Sequence, residues 1–191
     1  MATALVFLAD GFEELEAVAI IDVLRRAGVL VSTCGVTGRE VIGAHNVTLC
    51  ADGTCELLAL EVFSAVILPG RMPGVSHLKD DLRVRLIVDR HISQGRWIGA
   101  ICAAPWALAS WGLLKGKNVT CYPGFQERVA EEGAHIVHMS VVVDGQFITS
   151  QGPGTAVEFA LKLAEVLVSG EKSAEMARAM MVAGRSSSVL T

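Results

Sequence analysis

The sequence predicts an α/β protein with a mostly parallel sheet that is covered by helices on both faces. Three observations support this prediction. Short apolar runs typical of buried strands alternate with longer segments of helical periodicity. Glycine and proline mark the boundaries between these segments, and no repeat, linker or charge block divides the 191 residues. We therefore expect one domain over residues 1–191, which is large enough to fold without a metal or a disulfide.

The first part of the chain alternates between strand and helix. Ala4 to Ala9 is a short apolar run, and we predict a buried strand there. The helical pattern from Glu13 to Ala27 stops at Gly28, since glycine commonly follows the last turn of a helix. Further strands are predicted over residues 29–36, 47–50 and 65–68, and the last of them ends at Pro69-Gly70.

The second part continues the alternation and includes an antiparallel hairpin. Asp144-Gly145 between two apolar runs predicts hairpin strands over residues 140–143 and 147–150. Thr155 and Glu158 have the spacing of a capping box at the start of a helix over residues 155–169. The other predicted helices are 80–94, 103–113, 125–132 and 171–182, the other strands are 96–101 and 118–121, and the serine-rich tail is expected to fray.

Composition and charge exclude several classes of protein. Apolar residues make up 52% of the chain and charged residues 19%, which excludes a disordered chain or a coiled coil. The net charge of −4 and the lack of a basic cluster exclude a nucleic-acid partner. No membrane partner is expected, since the first residues lack a basic signal-peptide region and helix-breaking residues interrupt the uncharged stretch 97–114. Five cysteines without zinc spacing indicate reduced thiols and a cytoplasmic location.

Cys102 is the strongest candidate for chemistry. It stands between a strand and a helix, and the small residues Ala103 and Ala104 allow a sharp turn like a nucleophile elbow, although the Gly-x-Ser-x-Gly signature is absent. A helix N-terminus stabilises a thiolate, so we expect Cys102 to be ionised near neutral pH. The alternative from position alone is an inert buried cysteine. The other four cysteines lack this context and are interpreted as structural.

Glu16 is the second candidate. At about 100° per residue, the charged side chains of the first helix share one arc, whereas Glu16 falls between Ile20 and Val23 on the apolar side. Burial there raises the pKa of a carboxyl group, which can then donate a proton to a thiolate or act as a general acid or base. The alternative is a glutamate at the rim of this face. Glu13 lies on the same side, but its place in the first turn fits capping with Asp10.

Two further features are less specific. Leu15 and Val18 lie on the charged arc, which indicates either a subunit interface or scattered apolar side chains on the surface. The loop 69–74 can form a backbone nest for an anion, but a plain turn is the simpler interpretation and the Lys-Ser/Thr of a phosphate loop is absent. None of the five histidines can be assigned as a base, and no metal or other cofactor is expected.

Four motifs occur in a fixed order between about residue 3 and residue 170. They are Asp10-Gly11-Phe12-Glu13-Glu14-Leu15-Glu16, Leu68-Pro69-Gly70, Ala100-Ile101-Cys102-Ala103-Ala104-Pro105 and Ser150-Gln151-Gly152-Pro153-Gly154-Thr155. In combination they resemble the DJ-1/ThiJ/PfpI superfamily, in the branch of the Parkinson-associated protein deglycase. The combination is highly specific, although each motif alone is not.

The resemblance implies a set of site residues. Cys102 would be the oxidation-sensitive nucleophile, and Glu16 the carboxylic acid that hydrogen-bonds it. The backbone of Gly70 and Arg71 would face the thiol, and we group Ala103 with them as part of an oxyanion or substrate-binding backbone.

The resemblance also implies a fold, a partner and activities. The fold would be a flavodoxin-like three-layer sandwich, and the partner a second copy bound through the first helix, which fits Leu15 and Val18. The activities would be cofactor-free conversion of methylglyoxal or glyoxal to a hydroxy acid, removal of early glycation adducts, redox sensing and chaperone-like protection.

Three positions depart from the pattern of this superfamily. Many members have a second glycine where Arg71 stands, which affects the backbone shape of the loop. Tyr122 precedes Pro123 where some members place a histidine, which argues against a histidine-assisted mechanism and leaves Tyr122 as a supporting residue. Ala103 stands where the protease-like branch has a histidine, which argues against peptidase activity.

Two functions therefore compete. In the first, the protein is a glyoxalase or deglycase that acts on a small dicarbonyl or a glycated protein, in which the Cys102 thiolate attacks the aldehyde of methylglyoxal and Glu16 moves a proton. In the second, the protein is a non-enzymatic redox sensor or chaperone that responds through oxidation of Cys102.

Overall fold

The computed structural model describes residues 1–182, in which strands and helices alternate along the chain. The strands are β1 Thr3–Leu8, β2 Leu30–Gly35, β3 Glu40–Ile42, β4 Thr48–Cys50, β5 Gly53–Thr54, β6 Ala65–Leu68, β7 Trp97–Ile101, β8 Asn118–Val119, β9 His135–Ile136, β10 Val141–Asp144 and β11 Phe147–Ser150. The α-helices are α1 Glu14–Arg26, α2 Cys55–Leu58, α3 Gly74–Asp80, α4 Leu82–Ser93, α5 Ala104–Ser110, α6 Gln126–Glu131, α7 Ala156–Leu167 and α8 Gly170–Ala179. Short 3₁₀ turns occupy Pro123–Phe125 and Pro153–Thr155.

Seven strands form the central sheet in the order β10-β11-β7-β6-β1-β2-β5. All neighbours in this sheet are parallel except β10 and β11. All four residues of β6 are buried, as expected for a strand that is covered on both faces. Helix α7 packs against α1 and α8, whereas α3 packs against α4 and α5. This arrangement confirms the predicted α/β class and is consistent with a flavodoxin-like sandwich.

Helix α1 shows how the local sequence builds the core. Its apolar stripe places Ile20, Val23 and Leu24 in the core with no exposed surface. Full burial of side chains of this size contributes about 1.5–3 kcal/mol each. The charged residues Asp22 and Arg26 lie on the opposite, exposed side and form an ion pair at 2.7 Å. The periodicity that predicted this helix is therefore the same periodicity that buries it.

Several predicted boundaries differ from the structure because short elements depend on their neighbours. The predicted strand 47–50 is β4, which pairs with β3 in a separate two-stranded sheet. The predicted helix 80–94 divides at Asp81, whose carboxylate accepts a hydrogen bond from the Arg83 N–H at 2.8 Å and so caps α4. Strands β3, β5 and β9 and helices α2 and α3 were not predicted.

The two turn predictions near the C-terminus had different outcomes. The hairpin is confirmed, since Asp144 pairs with Phe147 and Gly145 has a positive φ of 61°. The prediction of a capping box between Thr155 and Glu158 is wrong. The Thr155 hydroxyl contacts the Gly152 backbone instead, and the Glu158 carboxylate accepts a hydrogen bond from a serine hydroxyl at 2.7 Å.

None of the helices in residues 1–182 combines the length and apolar character that crossing a membrane requires. The predicted last helix ends at Ala179 rather than at residue 182, and the predicted frayed tail lies outside the described residues.

Candidate functional site

The candidate site lies where three neighbouring strands end. Strands β7, β6 and β1 are adjacent and parallel, so the loops after them meet at one edge of the sheet. In open α/β sheets this edge is where ligands bind. The three loops carry Cys102, Gly70-Arg71 and the residues that lead into α1.

Cys102 occupies a sharp turn between β7 and α5. Its φ is +63°, a left-handed conformation that costs a residue other than glycine roughly 1–2 kcal/mol. Two backbone hydrogen bonds hold the turn: the Cys102 N–H donates to the Ser150 carbonyl at 2.9 Å, and the Cys102 carbonyl accepts from the Tyr122 N–H at 2.8 Å. The side chain is 6% exposed. The elbow-like turn that the small neighbours predicted is therefore present, and it is fixed on both sides.

Glu16 lies on the buried face of α1, with no exposed surface. Its Oε2 accepts a hydrogen bond from the Gly70 N–H at 2.7 Å, whereas Oε1 has no partner among the described residues. Burial raises the pKa of Glu16 to about 7, although the Gly70 N–H and the Cys102 thiol act in the opposite direction. The predicted burial and the predicted direction of the pKa shift both agree with this geometry.

Gly70 lies against both of these side chains. A β-carbon on Gly70 would lie 2.4 Å from the Cβ of Cys102, 2.7 Å from the Ile101 carbonyl oxygen and 2.9 Å from Oε2 of Glu16. Only glycine fits between these three groups. Since the Gly70 N–H donates to Glu16, it is not free to bind an oxyanion, and the expected role of Gly70 changes from oxyanion donor to positioning residue.

The electrostatics of Cys102 differ from the expectation of an ionised thiol. Burial raises the pKa of Cys102 to about 12, and the charge of Glu16 adds to this increase. The backbone N–H groups of Arg71 and Ala103 face the sulfur and lower its pKa. Desolvation outweighs these two amides, and α5 is only seven residues long. The sulfur therefore needs a proton acceptor before it can react as a thiolate.

Arg71 and Glu13 flank the site. Arg71 has a φ of +80°, which explains why a glycine is favoured at this position, and its guanidinium lies 3.9 Å from the carboxylate of Glu13. Glu13 is 3% exposed and makes no side-chain cap on α1, so its expected capping with Asp10 is wrong. The Asp10 carboxylate accepts a hydrogen bond from the Ile42 N–H instead. Sequence reasoning set Glu13 aside, although the helical wheel had placed it on the side of Glu16.

Tyr122 and Cys102 both lie near Gly152. A β-carbon on Gly152 would lie 3.5 Å from the Tyr122 ring and 4.0 Å from the Cys102 sulfur. The Tyr122 side chain is 48% exposed. The half-exposed ring therefore lies near the sulfur, and a supporting role for Tyr122 stays a prediction.

One group of residues in the described part of the chain has the spacing of metal ligands: Glu13, Glu14 and His45. Glu14 already accepts hydrogen bonds from the His45 backbone N–H at 2.6 Å and contacts its Nδ1 at 2.8 Å. These bonds account for the cluster as a link between α1 and the loop after β3, and Cys102 is not part of it.

Fold and site together define a class: an α/β sandwich with a buried cysteine at a strand–helix turn, beside a carboxyl group that titrates near neutrality. A family model described as the DJ-1/PfpI family matches residues 2–166. The chain belongs to the DJ-1/PfpI family.

Several relatives cover nearly the whole chain. The Drosophila melanogaster protein dj-1beta is 40% identical over 182 residues, which are 95% of this chain and 97% of that protein. The crystal structure of Drosophila melanogaster DJ-1beta has a TM-score of 0.93 and covers 95% of this chain and 98% of that chain. The glutathione-independent glyoxalase DJR-1.2 of Caenorhabditis elegans is 33% identical over 171 residues, which are 90% of this chain and 91% of that protein.

Proposed function

We propose that this protein is a cofactor-independent glyoxalase and protein deglycase with Cys102 as its nucleophile. The observation that carries the proposal is the packing around Gly70, which holds the Glu16 carboxyl and Cys102 within 3 Å of one point. The relative named a glutathione-independent glyoxalase, at 33% identity, supports the reaction class. Small dicarbonyls such as methylglyoxal, and glycated proteins, are the proposed substrates.

The first step forms a bond between sulfur and carbon. Glu16, with a pKa of about 7, takes the proton of the Cys102 thiol as the sulfur attacks the aldehyde carbon of methylglyoxal. The product is a hemithioacetal. The N–H groups of Arg71 and Ala103, which face the sulfur, are placed to stabilise the negative charge on its oxygen.

The next steps move a proton and release the product. Glu16 returns its proton to the oxygen of the hemithioacetal, and its carboxylate then removes the proton from the former aldehyde carbon to give an enediol. Return of that proton to the adjacent carbon leaves a thioester on Cys102. Water hydrolyses the thioester to lactate and regenerates the thiol. In total, methylglyoxal gains one water, and no external oxidant or reductant is consumed.

Lactate formation by the purified protein tests this proposal. Cys102→Ser should reduce the rate to background, and Glu16→Gln should reduce it by about 10²–10⁴-fold. Cys121→Ser is a matched control, since Cys121 is also buried and burial raises its pKa to about 12. Because Glu16 must be ionised to accept the proton, the rate should rise with pH through about 7. A wild-type rate no higher than that of Cys102→Ser contradicts the proposal.

A redox sensor or chaperone is the second candidate function. A solved relative described as "Toxoplasma gondii DJ-1, oxidized", 35% identical with a TM-score of 0.90, favours it. Oxidation of Cys102 to a sulfinate would place oxygens near the N–H groups of Arg71 and Ala103 and near the Glu16 carboxyl. Intact mass after mild peroxide treatment tests this function, and it fails if Cys102 gains no oxygen while another cysteine does.

We also propose a homodimer through α1. Leu15 and Val18 are 68% and 46% exposed, and Val18 lines a groove together with Ile21 and Leu49. In sedimentation measurements Val18→Asp should convert dimer to monomer. Leu57→Asp, at a position on α2 that is 69% exposed, should not.

We also propose that the protein is cytoplasmic. The five cysteines of the chain are all free thiols in the structure, which fits a reducing compartment.

A further inference from the structure

A second pair of reactive groups lies away from Cys102. The sulfur atoms of Cys34 and Cys55 are 3.3 Å apart, and both side chains have no exposed surface. Cys34 is in β2, and Cys55 is the first residue of α2. The parallel pairing of Cys34 with Gly53 in β5 sets this distance, because it places the start of α2 beside the end of β2.

We propose that Cys34 and Cys55 form a second redox site, in which a peroxide converts the buried dithiol into a reversible intramolecular disulfide independently of Cys102. A disulfide has a sulfur–sulfur distance of about 2.05 Å, so the two atoms must approach by about 1.3 Å. The site goes beyond the proposed glyoxalase reaction and uses none of its residues.

The surroundings of the pair assign different roles to the two sulfurs. The two sulfurs share a hydrogen bond in which either can be the donor, and with Cys34 as the donor this bond lowers the pKa of Cys55 and raises that of Cys34. The positive charge of Arg83 lowers the pKa of both thiols, so the hydrogen bond between them sets the difference. The Arg83 guanidinium binds the Val36 carbonyl at 3.0 Å and the Glu56 carboxylate, so it is held beside both segments. Cys55 is therefore the attacking thiolate and Cys34 the resolving thiol.

The reaction balances without any further reactant. The Cys55 thiolate attacks one peroxide oxygen, the O–O bond breaks, and the released hydroxide takes up a proton as water. The Cys34 sulfur then attacks the sulfenic sulfur of Cys55, the S–S bond forms, and the S–O bond breaks to release a second water. Two thiols lose two electrons and two protons, and one peroxide becomes two waters.

The position of the pair at the sheet edge gives the oxidant a route to buried sulfur. Strand β5 is the edge strand of the central sheet and pairs with β2 over only two residues. Helix α2 has four residues, and Leu57 within it and Leu60 just after it are 69% and 83% exposed. An element with so few contacts opens more readily than the core. We therefore expect oxidation here to be slower than at an exposed thiol.

The disulfide would stabilise one part of the fold. It would close the segment from Cys34 to Cys55, which contains the β3–β4 hairpin. That hairpin touches the loop before α1, where the Ile42 carbonyl accepts a hydrogen bond from the Gly11 N–H at 2.7 Å. Closing a segment of this length should raise the melting temperature by roughly 5–10 °C.

The test uses the Cys102→Ser protein, so that the outcome does not depend on the proposed function. The native protein is treated with hydrogen peroxide, unfolded in guanidinium with iodoacetamide, and examined by intact mass and peptide mapping. Four cysteines remain in this variant. The oxidised protein should carry two alkyl groups fewer than the untreated protein, the linked peptides should contain Cys34 and Cys55, and dithiothreitol should restore both groups.

Two further variants and one control variant keep the test decisive. Cys34→Ala and Cys55→Ala should each abolish the loss of alkyl groups, whereas Cys121→Ala, at an equally buried position, should leave it unchanged. Should either of the first two fail to fold, mapping in the Cys102→Ser protein decides alone. Full alkylation of Cys34 and Cys55 after peroxide, or pairing of either with Cys50 or Cys121, overturns the proposal.

Discussion

Replacement of Gly70 by alanine is the most direct test of the site geometry. The added methyl group would lie 2.4 Å from the Cβ of Cys102 and 2.7 Å from the Ile101 carbonyl. Both atoms are fixed, because the Cys102 turn is held by backbone hydrogen bonds to Ser150 and Tyr122. The loop that carries Gly70 must therefore move away, and its N–H moves away from the Glu16 carboxyl.

The expected loss of stability in Gly70→Ala has two contributions. Overpacking in a filled interior costs about 1–3 kcal/mol. Loss of a hydrogen bond to a charged group, here the bond of 2.7 Å to Glu16, costs about 1.5–3 kcal/mol. We expect the free energy of unfolding of Gly70→Ala to fall by about 2–5 kcal/mol, because part of the bond survives if the loop shifts only slightly. The pKa of Glu16 should also rise above about 7, since the Gly70 N–H stabilises its charged form.

Urea unfolding and the pH dependence of lactate formation measure the two effects. The matched control is Gly154→Ala, because a β-carbon on Gly154 has no neighbour within 4 Å and the backbone there needs no positive φ. The urea midpoint should fall by about 1–2 M in Gly70→Ala and stay nearly constant in the control. Equal stability of the two variants, with the same pH profile as the wild type, would refute the geometry on which the site is built.

Three other predictions concern stability. The pKa of Glu16 is raised to about 7 from 4.5, so its contribution to stability is present below pH 4.5 and is lost as the pH rises through 7. In urea unfolding at pH 8, Glu16→Gln should therefore be more stable than the wild type by about 3 kcal/mol. This difference should disappear near pH 4.5. Burial lowers the pKa of His91, whose Nδ1 contacts the Ile87 carbonyl at 2.7 Å. The unfolded chain therefore takes up the proton at a higher pH than the folded protein, and the melting temperature should decrease as the pH falls below about 6.5. In the Glu16→Gln background, which removes the opposing titration, His91→Gln should flatten this pH dependence and the control His135→Gln should not. Arg71→Gly should raise the free energy of unfolding by about 1 kcal/mol, because relief of the strain at a positive φ outweighs the loss of the half-exposed ion pair with Glu13. A lower free energy of unfolding in this variant would contradict the strain at this position.

The parts of the structure that the sequence predicted are those that local periodicity determines. The buried position of Glu16 follows from the spacing of apolar residues within one helix, and β6 follows from four consecutive apolar residues. The turn at Cys102 was predicted from its small neighbours and from its place between a strand and a helix.

The parts that were missed depend on contacts between distant segments. Gly70 and Glu16 are 54 positions apart, and no local pattern shows that the Gly70 N–H is used by a carboxyl group. The short elements β5 and α2 have too few residues to show periodicity, so the approach of Cys34 to Cys55 appears only once the register of β2 and β5 is known. The thiolate expected at Cys102 depended on the helix N-terminus and on a protonated Glu16 beside it, and the cost of desolvating the sulfur cannot be read from a sequence.

The left-handed backbone at Cys102 has a consequence for protein engineering. Glycine adopts a φ of +63° without steric cost, so a library selected only for heat resistance should enrich glycine at this codon. Such a selection would discard the sulfur while improving the scaffold. Thermostable versions intended for catalysis therefore need this position held constant, with improvements sought in the rest of the chain.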